Sequence, residues 1–507
     1  MSKILGAFMV VLVLLLPFSA FAAPPMIQIV APWEISSKDP SRAGFVYGRL
    51  EVAETLVNVD LNGSHIPGLA ASWDTSDDGR IWRFTIRPDV RFHDGTLMTT
   101  ETVVNSLLIA RQKPGVLNRA PVESIEADNE AIVLTLSEPF SPILSFLTHY
   151  STMILAPAAY DESGNVVEVI GTGPYRITLL QPPQKMEVAV FTEYWGPQPK
   201  IERAGYLAAG RGETRALLAE SGEAHVVFTI DPASVQRLAR RDHLEIRTVP
   251  LPRIVSLKLN CAHPGLEDVR VRQALSLAID RAGIAQAILR QPDLVANQYF
   301  PPSMQAWHLS DSAPLRYDTE QARHLLQEAG WHVNDAGKLE RDGQLLQVEI
   351  VTYPDRPELP LIAAAVQDQW RSVGVEATIA ISNSSVIPAR HQDNSLEIGL
   401  ISRLLALVPD PLGILVQDFA PGGGDWGAMN WNSDQLSAIL AKLIVSGEND
   451  TAEELNRQVS EILHEEMPII PISWYQQTVA VSRQVTNVII DPFERVYNIS
   501  AMEWNEQ

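Results

Sequence analysis

Residues 341–381 read RDGQLLQVEIVTYPDRPELPLIAAAVQDQWRSVGVEATIAI, and this stretch decides the fold class. Arg341-Asp342-Gly343-Gln344 has the composition of a tight hairpin turn, leading into the strand Leu346-Gln347-Val348-Glu349-Ile350. A long helix is predicted from about Leu361 to Val373, then a second strand from Val375 to Ile381. Strand, helix and strand in succession indicate a sheet covered by helices, because parallel strands need a long crossover between them.

The neighbouring segments repeat the alternation. Asp318-Thr319-Glu320-Gln321 resembles a capping box, Ala322, Leu325, Leu326 and Ala329 form an apolar stripe, and Gly330 ends the helix. Asp268 is a predicted N-cap, followed by Val271, Ala274, Leu275, Ala278 and Ile279 at helical spacing. Nearer the start, Ile81 to Ile86 alternates as a strand after the turn Asp77-Asp78-Gly79. Thr100 to Leu108 reads as a helix with Val103, Val104, Leu107 and Leu108 on one face. The second half therefore reads as a doubly wound α/β lobe.

The chain opens with Lys3, an apolar run from Ile4 to Pro17, and Ala20-Phe21-Ala22. That is the pattern of a cleaved signal peptide over residues 1–22, with the mature protein starting at Ala23 in the periplasm. The rest is long enough for two or three domains, since single cores stop growing near about 250–300 residues. Asp and Glu number 61 against 39 Lys and Arg, for a net charge of −22. This spread-out excess disfavours nucleic acid and anionic lipid as partners. Cys261 is the only cysteine, so no intramolecular disulfide forms, and nothing nearby activates it.

No catalytic constellation emerges. His464-Glu465-Glu466 begins like a zinc-protease motif, but Pro468 takes the place of the second histidine. Gly422-Gly423-Gly424 lacks the Lys-Ser/Thr of a phosphate-binding loop. The acid pairs Asp77-Asp78 and Glu465-Glu466 suit solvated turns and helix ends. The expectation is a binding protein rather than an enzyme, working without a cofactor.

Six landmarks stand in one order. They are Ile66-Pro67-Gly68-Leu69-Ala70-Ala71-Ser72-Trp73 through Phe92-His93-Asp94-Gly95; Gly171-Thr172-Gly173-Pro174-Tyr175 with Tyr194-Trp195-Gly196; Asp268 to Leu275 with Ala278-Ile279-Asp280-Arg281; Tyr317-Asp318 to Trp331; Asp410-Pro411; and Pro468 to Ile472. Together they resemble the bacterial solute-binding proteins of family 5, the dipeptide-, oligopeptide- and nickel-binding components of ABC importers. Read physically, Gly173-Pro174 is a turn that needs positive φ, and Trp73, Trp82 and Phe84 are packing residues. Arg270 and Arg272 suit salt bridges at a helix end or between lobes.

The resemblance implies an α/β, two-lobed periplasmic binding protein with a hinge. Lobe I would comprise residues 23–58, 171–258 and 477–507, an extra subdomain 59–170, and lobe II 259–476. The chain would cross between lobes near Asn260 and Gln476, and closure would trap a small ligand for the importer's permease subunits. The protein would act as a monomer. A permease-independent sensory or chaperone-like module on the same fold is the alternative.

Peptide-binding members place an Asp shortly before Asp-Pro, where Leu407 stands here, which disfavours an ordinary peptide with a free α-amine. The stretch Ser384 to Arg390 and the Gly330-Trp331 region look nearer the nickel-binding branch, yet Gln417 to Met429 lacks that branch's histidine. A peptide-like molecule or a chelated metal remains, with no metal ligand from the protein. The expected cleft residues are Arg42, Phe45, Arg403, Asp425 and Trp426, with Arg403 pairing with a ligand carboxylate and Trp426 stacking on its surface.

Overall fold

Residues 347–352 and 376–381 form a parallel strand pair, in register from Gln347 opposite Glu376 to Thr352 opposite Ile381. The crossover helix Glu358–Arg371 buries Leu359, Ile362, Ala363, Val366 and Trp370 against them. It starts before the predicted Leu361, because Pro360 lies in the first turn, where a missing N–H leaves no bond unmade. The computed structural model describes residues 25–406, 410–419, 424–446 and 452–505. The signal-peptide reading, Leu407, Gly422 and Gly423 lie outside the described residues.

This pair is one end of a ten-stranded sheet through the whole molecule. From that end the strands begin at residues 376, 347, 398, 244, 469, 226, 26, 203, 185 and 175. The centre is made by two long strands, Leu244–Leu259 and Ile469–Ser482, paired antiparallel over most of their length. Their early and late ends pack in different places. Leu244 and Ala480 join a core with Val30 and Val227, while Val255, Leu257, Ile470 and Ile472 join a core with Ile350 and Trp370. Between these halves the register shifts, from Leu251 opposite Tyr475 to Ile254 opposite Trp474. A bulge bends a strand and raises its twist.

A separate four-stranded antiparallel sheet is built from Ala70–Thr75, Ile81–Ile86, Ala131–Leu136 and Val122–Asp128. The helix Thr100–Arg111 packs on it, burying Val103 and Leu107. Leu108, expected on the same face, is 37% exposed, since the apolar stripe is narrower than its sequence suggests. Residues from 299–307 and 412–463 share one apolar core with residues of this subdomain.

Both predicted N-caps form. Asp268 accepts from the Arg270 N–H at 2.9 Å and Asp318 from the Gln321 N–H at 2.9 Å. Arg270 pairs with Asp268. Arg272 is 4% exposed and donates to the carbonyls of Leu266, Glu267 and Glu466. It therefore tethers a loop and a helix end rather than bridging charges.

Gly173 is not among the residues with positive φ, so the turn does not explain it. A Cβ there would lie 2.1 Å from the Glu51 carbonyl oxygen. Close backbone approach is what excludes a side chain. Gly173→Ala should accordingly lower stability by about 1–3 kcal/mol, the usual cost of overpacking. A shift in the denaturation midpoint checks this, and an unchanged midpoint would show that the backbone yields freely.

Candidate binding site

The first strand, Met26–Ala31, runs into Trp33, and the strand Gln347–Thr352 runs into Tyr353 and Arg356. Ligands of open α/β sheets gather beyond the carboxyl ends of such strands. Here the two ends meet. The Arg356 guanidinium lies 5.7 Å from the Trp33 ring centre and 4.7 Å from that of Tyr475 on the long central strand. Its Nη1 donates to the Tyr475 hydroxyl at 2.6 Å.

Arg49, at the end of the helix Phe45–Arg49, stacks 4.0 Å from the Trp33 ring centre and 5.2 Å from that of Phe45. Its Nε donates to the Glu494 carbonyl at 2.7 Å, but its buried Nη1 has no hydrogen-bond partner among the described residues. Arg253, beside the bulge, donates from Nη1 to the Ser402 carbonyl at 3.1 Å and pairs through Nη2 with the Glu494 carboxylate. Its Nε is likewise unpartnered. Arg356 Nη2 stands 3.6 Å from the other Glu494 oxygen.

Two guanidiniums thus face the Glu494 carboxylate, and a third, Arg49, binds its backbone carbonyl. Arg49, Arg253 and Arg356 are 7%, 7% and 4% exposed, so water screens them little. Burial alone would raise the Glu494 pKa, but Arg253, Arg356 and Arg49 outweigh it and hold the carboxyl down at about 2. Glu494 is ionised at neutral pH, and the group keeps a surplus of positive charge. Nearby Glu358 is buried as well; burial pushes its carboxyl up, while Arg356, Arg215 and Arg253 pull it down.

Tyr150 of the subdomain closes the third side, edge-on to Phe45 at 6.3 Å. A cavity of about 180 Å³ lies behind it, lined by Phe45, Arg49, Glu54, Tyr194 and Arg495 among others. Arg495 Nη1 is also buried without a hydrogen bond. Glu54 accepts from Thr172, Trp195 and Tyr194, and burial pushes its carboxyl up to about 7.

The residues expected from sequence fall in several places. Phe45 lines the cavity, while Arg42 is exposed in the last turn of the short helix Pro40–Ala43. Arg403 is buried, but Nε and Nη2 grip Asp418 at 2.7 Å each, so its charge is already matched. Trp426 stands edge-on to Tyr353 at 6.2 Å. Asp425 accepts from Gln392 at 2.9 Å, and its carbonyl accepts from Lys258 at 2.6 Å. Lys258 is fully buried, reaches His391 Nδ1 at 2.5 Å, and is brought down to about 7 by burial. Cys261 is buried too, which pushes its thiol up to about 11 and away from reactivity.

Arg49, Arg253, Arg356 and Glu494 escaped the sequence reading. Two signals pointed to them: Arg49 follows Phe45 by one helical turn, and Arg356 lies in the loop after a strand expected to be parallel.

The profile of the bacterial extracellular solute-binding proteins, family 5, matches residues 65–426. The nickel-binding periplasmic protein of Escherichia coli K12 is 26% identical over 493 residues, 93% of each chain. The dipeptide-binding protein of the same organism is 23% identical over 459 residues, 84% of each chain. Among solved structures, NikA from Brucella suis in complex with Fe(III)-EDTA superposes with a TM-score of 0.84 at 23% identity, covering 95% of this chain and 100% of that one. AppA from Bacillus subtilis in complex with a nonapeptide gives 0.85 at 18% identity, covering 95% and 99%. These structures have the same two-lobed fold. No helix among the described residues is long and apolar enough to cross a membrane.

Proposed function

The chain belongs to the bacterial extracellular solute-binding proteins, family 5, and from that premise we propose that it captures a small acidic solute between its lobes for an ABC importer. The single observation that carries the acidic class is the surplus of buried guanidinium charge formed by Arg49, Arg253 and Arg356 around Glu494. Buried cations without a matching anion are costly, and a carboxylate arriving between the lobes supplies the missing charge and hydrogen bonds. A metal chelate with free carboxylates and a peptide-like acid both meet this requirement, and the similar solved structures hold a chelated metal in one case and a peptide in another.

In this reading residues 1–22 are removed on export and the mature monomer works in the periplasm without catalysis. Lobe I comprises 23–58, 171–258 and 477–507, the subdomain 59–170, and lobe II 259–476. The bending points are Leu251–Ile254 and Trp474–Tyr475, because the register shift lies there. For the first crossing this is nearer the chain start than Asn260, so residues 255–258 move with lobe II.

Solute binding should raise the melting temperature by mass action and reduce the radius of gyration, since the solute touches both lobes only when they close. Thermal denaturation and X-ray scattering on the same titration check this. Stabilisation without compaction would overturn capture between the lobes.

A further inference from the structure

We propose that Glu494 is an interlobe latch that biases the empty protein toward closure before any solute arrives. The inference takes its two moving bodies from the capture reading above, but it concerns the molecule without solute.

Glu494 sits in the C-terminal segment, which is fastened to the first segment of the chain. The Tyr497 N–H donates to the Arg49 carbonyl at 3.0 Å, and Ser500 donates through both N–H and hydroxyl to Glu51. Arg495 reaches Asn58, and the short strand Val485–Thr486 pairs with Glu503–Trp504. The residue is therefore carried by lobe I.

Of its two carboxylate partners, Arg356 belongs to lobe II and Arg253 to the bend between the lobes. Arg356 stands just before the helix Glu358–Arg371 of lobe II. Arg253 lies beside the register shift, and its other nitrogen holds the Ser402 carbonyl on a lobe II strand. One Glu494 oxygen takes Arg253 and the other faces Arg356 at 3.6 Å. Opening the lobes would pull Arg356 from both Glu494 and the Trp33 face.

The arrangement is not simple packing glue. Glu494 Oε1 makes no hydrogen bond, and Arg253 Nε and Arg49 Nη1 are unpartnered. The Glu494 carboxylate, set between Arg253 at the bend and Arg356 of lobe II, favours closure without being fully satisfied, so a solute anion still adds to the closed state. A latch of this kind shortens the conformational step on binding, because more of the protein already has the competent shape.

The test uses the full mature chain, freed of bound solute by unfolding and refolding. X-ray scattering would compare the wild type, Glu494→Gln and Arg356→Met, each checked for native circular dichroism. Both variants should show a larger radius of gyration than the wild type when empty. Equal radii in all three would overturn the latch, and a smaller radius in either variant would do so too. If Glu494→Gln does not refold, Arg356→Met alone decides, since it removes the partner on the other lobe and leaves Glu494 paired with Arg253. Because no solute is present, a wrong solute class leaves this result standing, and a failed latch leaves the solute class untouched.

Discussion

Arg403→Ala is expected to destabilise the protein by about 3–5 kcal/mol and to weaken a carboxylate ligand and its matched amide by the same factor. Asp418 is wholly buried and accepts two bonds of 2.7 Å from Arg403. Removing the arginine leaves the buried Asp418 side chain without its two hydrogen bonds and its ion pair. Replacing both partners, Arg403→Met with Asp418→Leu, should restore most of the loss, because a buried pair replaced by apolar groups is often close to neutral. Chemical denaturation of the three variants measures the first effect and calorimetry the second. A variant that keeps full stability while losing only carboxylate affinity would return Arg403 to the role its sequence position suggested.

The second large effect belongs to Arg49. Its Nη1 is buried and unpartnered at the wall of the cavity. A solute carboxylate that pairs there gains a charge-assisted hydrogen bond worth about 1.5–3 kcal/mol. Arg49→Met removes the guanidinium stacked on Trp33 but keeps an apolar side chain of similar length, and should cost roughly ten- to a hundredfold in affinity for the carboxylate, with little change for the amide. Folding loses mainly the bond to the Glu494 carbonyl, about 0.5–1.5 kcal/mol. Calorimetry of both ligands on both proteins forms the double-mutant cycle. Equal losses for acid and amide would make Arg49 a structural residue.

The sheet was readable because its segments obey local rules. The strand pair around the helix Glu358–Arg371, the Asp268 and Asp318 caps and the strand Ile81–Ile86 each follow from periodicity and capping chemistry. The site was readable only in part, because charge matching is a property of three dimensions. Arg403 looked like a free cation in an apolar run; its partner is 15 residues away, in a helix that folds back onto the strand. Arg49 and Arg356 looked like ordinary arginines, yet they converge because two strand ends meet. Gly173 was read through local φ when the deciding neighbour is the Glu51 carbonyl, far away in sequence. The buried arginines, rather than Leu407, therefore point to acidic solutes.

The most direct measurement is mass spectrometry of the small molecules released when natively purified protein is unfolded. The account predicts one predominant solute, about one per chain, carrying at least one ionised carboxylate, whether peptide-like or a metal chelate. Recovery of a cation or an uncharged molecule at that stoichiometry would contradict it.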